Sequence, residues 1–126
     1  RKDVNMSEAN KELVRRFFED AYTGGNPELV DEIMSPGYLA HGPGAEVLTL
    51  ESDGARAQGL EAVKNSIENK PSDIEVLIDQ QVAEGDTVVS RITMSAGGNS
   101  WVAVAFQRIE NSKIVETWRI ANNRRA

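Results

Sequence analysis

Cysteine is absent from this chain. A disulfide framework, a thiolate nucleophile and a cysteine-based zinc site are therefore excluded. Histidine occurs once, at His41, and no His/Asp/Glu cluster has metal-ligand spacing, so neither a metal nor any other cofactor is expected. Basic residues are in the minority, 14 Lys and Arg against 20 Asp and Glu, and the net charge is −6. Phosphate backbones call for the opposite sign, so no nucleic-acid partner is expected. No apolar run approaches the ~18 residues of a membrane span. Residues 1–5 are polar, without the apolar stretch of a secretory leader, and a cytoplasmic location is the expectation. A glycine-rich phosphate loop, internal repeats and low-complexity tracts are also missing.

What is present is concentrated after Gly85. Three runs rich in Val, Ile, Thr, Phe and Trp follow one another, at 87–96, 100–110 and 113–121. Such residues suit a pleated, half-buried surface. Gly97-Gly98-Asn99 and Asn111-Ser112 separate them. Turns this short make neighbouring strands antiparallel. A further strand is predicted over 73–84, where Ile74, Val76, Ile78, Gln80 and Val82 alternate with Glu75, Leu77, Asp79, Gln81 and Ala83. A meander with an apolar face needs a cover.

The first half of the chain can supply it. Leu13, Val14, Phe17, Phe18, Ala21 and Tyr22 form one apolar stripe, predicting a helix over 7–23 with Ser7 as its cap and Gly24-Gly25 as its stop. Asn26-Pro27 opens a second helix, faced by Leu29, Val30, Ile33 and Met34 and ended by Pro36-Gly37. Residues 38–41 suit a short strand. Residues 42–57 lack regular periodicity and suggest a mobile loop or lid. Leu60, Val63 and Ile67 predict a third helix over 60–69. Helices first and strands afterwards indicate an α+β fold. The 126 residues suit one domain over 7–122 between short tails at 1–6 and 123–126. A chain of this length buries about 68% of its unfolded surface, enough to enclose a pocket.

Four stretches in order, NKELVRRFFEDAYTGGNPELVDEIMSPGYLAHGP, GLEAVKN, VAEGDTVVSRITMS and KIVETW, resemble the SnoaL-like polyketide cyclases. These belong to the nuclear transport factor two-like (cystatin-like) superfamily, together with ketosteroid isomerases and limonene epoxide hydrolases. The resemblance implies a cone: a curved, mixed or antiparallel sheet covered by three helices, with a pocket between. It also implies a small apolar or aromatic ligand, polyketide- or steroid-like and bearing a carbonyl.

His41 falls where the resemblance places a general base, and it alone here ordinarily titrates near neutrality. Aldol-type cyclases carry an Asp where this chain has Arg119 or Asn122, depending on alignment. Neither is a carboxylate, but either can hold a carbonyl or enolate oxygen by hydrogen bonding. Arg91 and Thr93 resemble the Arg-x-Asp of limonene epoxide hydrolases, with Thr in the Asp position. The helix tyrosine and strand Asp of ketosteroid isomerases fall on Phe17 or Phe18 and near Val104. Phe18, Tyr22, Tyr38, Arg91, Val104, Phe106 and Trp118 are candidate pocket residues.

Three readings stay open: a proton-transfer enzyme without a metal, of cyclase or isomerase type; a non-catalytic ligand-binding module; and a dimeric interaction domain. Both faces of the central strands are too apolar for open water, so one face is expected against the helices and the other in a homodimer. Alternation along 38–41 places His41 beside Leu39, on the side expected to face the helices.

Overall fold

The hairpin turns organise the sheet. In the computed structural model, which describes residues 2–41 and 53–121 with side chains over 6–41 and 59–120, both central residues of two turns have positive φ. These are Gly97 and Gly98 (60° and 82°) and Asn111 and Ser112 (52° and 63°). Two such residues give the twist that two-residue hairpins need. They join β3 (Thr87–Ala96), β4 (Asn99–Glu110) and β5 (Lys113–Ala121), and β2 (Glu75–Glu84) pairs with β3. β1 (Met34–His41) lies alongside β5 in parallel, giving the order β1-β5-β4-β3-β2. The sheet is thus mixed, and the α+β class expected from the element order is what the chain adopts.

One face of the sheet is the core. Val88, Ser90 and Ile92 of β3 and Ala103, Ala105 and Gln107 of β4 are buried there. Bulges shift the phase in two strands. Beside Asp79 the β2 register slips, so Gln81 and Ala83 turn inward while Val82 turns out. Beside Val115 the β5 register slips, so Ile114 joins the core although Trp118 faces the other way. A bulge adds one unpaired residue, which strict alternation cannot anticipate.

The helices cover that core face. α1 (Lys2–Arg15) runs on as a π-helical segment (Arg16–Thr23), and Gly24 N–H donates to the Glu19 carbonyl five residues back. The helix begins upstream of the expected 7–23, and Ser7 lies inside it rather than at its cap. Nothing in Lys2–Met6 breaks a helix, so a possible cap did not act as one. A 3₁₀ turn (Pro27–Leu29) leads into α2 (Val30–Ile33). β1 starts at Met34 and carries Pro36 and Gly37, which were expected to end the helix. As an edge strand with an irregular register, β1 accommodates a proline.

α3 spans Asp53–Glu68 and packs on β1. Its start corrects the loop expected over 42–57, because residues 53–57 are helical. The run Ala55-Arg56-Ala57-Gln58 has high helix propensity despite Gly54 and Gly59. The rest of the expected loop, 42–52, lies outside the described residues. Gly59 is required where it stands, since a Cβ there would run into the Tyr38 carbonyl oxygen. Among the described residues no helix is long and apolar enough to cross a membrane.

Candidate functional site

Between the helices and the inner sheet face lies a cavity of about 280 Å³. Each element contributes what its periodicity turns inward. The π-helical segment supplies Phe17, Phe18 and Tyr22, with the two phenyl rings edge to face at 5.2 Å. Local i→i+5 bonding of this kind recurs at functional sites. α3 supplies Ala62, Val63 and Ser66, and its close approach at Gly59 sets the wall against Tyr38. Val76, Met94 and Ala105 complete an apolar lining.

One part of the lining is polar. Gln107 and Thr117 are direct cross-strand partners on β4 and β5, and Ala105 pairs with Arg119 one step along the same face. Thr117 also sits opposite Ala40 of β1, close to Tyr38. All of these line the cavity. Tyr38 is buried, and that burial pushes its phenol up to about 12, against the opposing pull of the Thr117 hydroxyl and the Arg119 charge. At neutral pH it is therefore a neutral O–H donor. Burial also raises Tyr22, again opposed by Arg119. The Thr117 hydroxyl influences Tyr38, yet among the described residues its Oγ1 has no partner of hydrogen-bond geometry, and neither has Gln107 Oε1. Two polar oxygens on paired residues are thus buried in a cavity wall without a well-formed partner among the described residues.

Residues 14–117 match the SnoaL-like domain family. The chain belongs to that family. No curated protein matches this SnoaL-like chain. Solved structures with the same fold include IdmH of Streptomyces antibioticus, a candidate polyketide cyclase, at 19% identity and TM-score 0.70, covering 90% of this chain and 92% of that one. A candidate ketosteroid isomerase from Kribbella flavida aligns at 16% identity and TM-score 0.73, covering 95% and 82%. An NTF2-like protein of unknown function from Mesorhizobium loti aligns at 21% identity and TM-score 0.70, covering 93% of each chain. At these identities the likeness is one of fold.

The SnoaL-like cavity gathers some of the residues singled out in the sequence and leaves others apart. Phe18, Tyr22, Tyr38, His41 and Arg119 all border it. Arg91, Val104, Phe106 and Trp118, expected at the pocket, lie on the opposite sheet face instead. There Val82, Val89, Phe106 and Trp118 pair in turn across the strands, with Arg91 and Val104 paired in the next row. Asn122 lies outside the described residues.

His41 does share a face with Leu39, but that face is the outer one. Its register partner is Trp118, and the two rings stack at 5.3 Å and 12°. His41 Nε2 is 2.9 Å from Glu116 Oε2. Arg108 donates to the other oxygen of Glu116 from Nη2 (3.0 Å) and Nε (3.3 Å). The alternation along 38–41 was sound, but it cannot say which side the helices take. Gln107 and Thr117 were not anticipated. The available signal was a polar residue at every-other-residue spacing in an otherwise apolar run, Ala103, Ala105, Gln107, Ile109.

Proposed function

We propose that this SnoaL-like chain binds a small, flat, apolar carbonyl compound, polyketide- or steroid-like in character, in the cavity between its helices and sheet. One observation carries the reading: the lining is largely apolar, with Tyr38 and Arg119 bordering it beside the polar pair Gln107 and Thr117. A neutral phenol and a guanidinium are both donors, so a carbonyl oxygen fits between them and developing enolate charge is stabilised there. In cyclase- or isomerase-like chemistry that pair would do the electrophilic half of the work. Calorimetric titration with α-tetralone tests the binding. Arg119→Met should weaken it about tenfold, a charge-assisted hydrogen bond's worth. Unchanged affinity in that variant would remove Arg119 from the site.

Whether the bound compound turns over depends on a proton acceptor. Among the described residues the cavity lining has no carboxylate. That favours a binding module. The observation on the other side is His41, which borders the cavity at the end of β1 although its ring stacks on the outward-facing Trp118 with Nε2 against the Glu116 carboxylate. This pairing favours the tautomer whose Nδ1 is the acceptor. His41→Gln separates the two. Loss of hydrogen exchange at the α-carbon of bound α-tetralone with binding retained supports a base; unchanged exchange supports the binding module.

The outer sheet face is the proposed homodimer surface. Val82, Val89, Phe106 and Trp118 form a continuous apolar row across four strands, and Ile120 beside it is 65% exposed. Contiguous apolar patches of this sort mark association sites. Sedimentation at micromolar concentration should show a dimer that Ile120→Lys shifts toward monomer. A monomeric wild-type chain would contradict this.

A further inference from the structure

We infer that the polar end of the cavity is also a subsite for a hydrogen-bond donor on the ligand, read by Gln107 and Thr117. This rests on the proposal that the cavity is a ligand pocket. Gln107 is 1% exposed and Thr117 8%. Their side chains are neighbours, because the two residues are direct partners in the β4–β5 ladder. Both belong to the cavity wall; among the described residues Gln107 Oε1 has no partner, and Thr117 Oγ1 has none of good geometry, with the Tyr38 hydroxyl beside it. Buried polar atoms are almost always paired, so two adjacent exceptions facing a cavity point to a group that arrives from the cavity.

The chemistry of that group follows from theirs. An amide oxygen only accepts, and a threonine hydroxyl can accept as well. A hydroxyl satisfies both, donating to Gln107 Oε1 while accepting from the Thr117 hydroxyl, whereas an ether or ketone oxygen leaves Gln107 Oε1 unpaired. Tyr38 and Arg119 offer donors nearby, and Arg119 lies two residues along β5 from Thr117 on the same face, about 6–7 Å away. The complementary ligand therefore carries a donor and an acceptor within one ring's breadth, as a hydroxylated aryl ketone or β-hydroxy ketone does. The cavity's about 280 Å³ is at the small end of ligand pockets, which suits one or two rings. Sites built to bond a hydroxyl discriminate strongly against analogues lacking it, because their own polar groups are then left unpaired.

Matched pairs test the subsite. α-Tetralone and its ring-hydroxylated isomers are titrated calorimetrically into the wild-type chain, Gln107→Met and Thr117→Val, with circular dichroism to show that each variant folds. The expected result is that at least one hydroxylated isomer binds wild type about tenfold or more tighter than the parent, the worth of one well-placed hydrogen bond. Gln107→Met should abolish the isomer's advantage, so that isomer and parent bind the variant alike. If Gln107→Met does not fold, Thr117→Val provides the same comparison. Equal binding of parent and isomers, or a preference that survives in both variants, overturns the donor subsite and leaves the pocket standing; in that case a trapped water satisfies the two oxygens. If no ketone binds to any of the proteins, the pocket proposal fails and the subsite falls with it.

Discussion

Removing the unpartnered amide from the empty cavity should make the protein more stable. Gln107 is the residue to change, because it is 1% exposed and its Oε1 has no partner among the described residues. A buried polar group left unsatisfied costs about 1–3 kcal/mol. Methionine matches glutamine in length and flexibility, so Gln107→Met removes the polar atoms while nearly conserving volume, at a repacking cost of less than about 1.5 kcal/mol. The net expectation is stabilisation by about 0.5–2 kcal/mol. For a chain of this size 1 kcal/mol shifts Tm by roughly 3–6 °C, so Tm should rise by about 2–10 °C. Thermal unfolding followed by circular dichroism, without any ketone, reads this directly. Most core substitutions destabilise, so a rise would be diagnostic. A fall of several degrees would refute the reasoning, because it would show that the amide is already well bonded in the empty protein.

Two further outcomes follow from the cavity wall. Gly59→Ala should lower Tm by about 3–18 °C, since the added Cβ meets the Tyr38 carbonyl oxygen and overpacking costs about 1–3 kcal/mol; an unchanged Tm would mean that α3 can move away freely. Tyr38, held at about 12 by burial against an ordinary value near 10, keeps its proton more tightly folded than unfolded. Its contribution is intact below pH 10 and is lost as pH rises from 10 through about 12, to the extent of roughly 2–3 kcal/mol. Denaturant titrations across that range should show the loss, and Tyr38→Phe should flatten it relative to wild type. Parallel curves for the two proteins would contradict the assignment.

Periodicity disclosed most of the architecture because most elements obey it. Alternation and turn chemistry marked β3 and β5 at their observed ends, since the Gly97-Gly98 and Asn111-Ser112 turns leave little choice of register. The stripe through Val14, Phe18 and Ala21 was equally plain, and all three are buried. What was hidden came from non-local causes. The slips beside Asp79 and Val115 reverse which residues face the core, and a one-residue slip is invisible in composition. Strict alternation would put Trp118 on the face of Ile114, whereas the two end on opposite faces. Pro36-Gly37 resembled a helix stop, but tertiary pairing with β5 drew it into an edge strand. Of the candidate residues, Phe18, Tyr22, Tyr38 and Arg119 border the cavity, whereas Phe106 and Trp118 lie on the other face. The site was not legible in Gln107 and Thr117, because polar residues in a strand usually mark its solvent side. Only the sheet's orientation shows that these two face inward.

The central claim is that the cavity, and not the outer sheet face, receives an apolar carbonyl compound. Backbone amide chemical shifts recorded during a titration with α-tetralone test it most directly. The account predicts saturable shifts concentrated at Phe18, Tyr22, Ala105, Gln107, Thr117 and Arg119, with Val82, Val102 and Ile120 unmoved. Shifts confined to Val82, Val102 and Ile120, or none at any concentration the ketone's solubility allows, would contradict it.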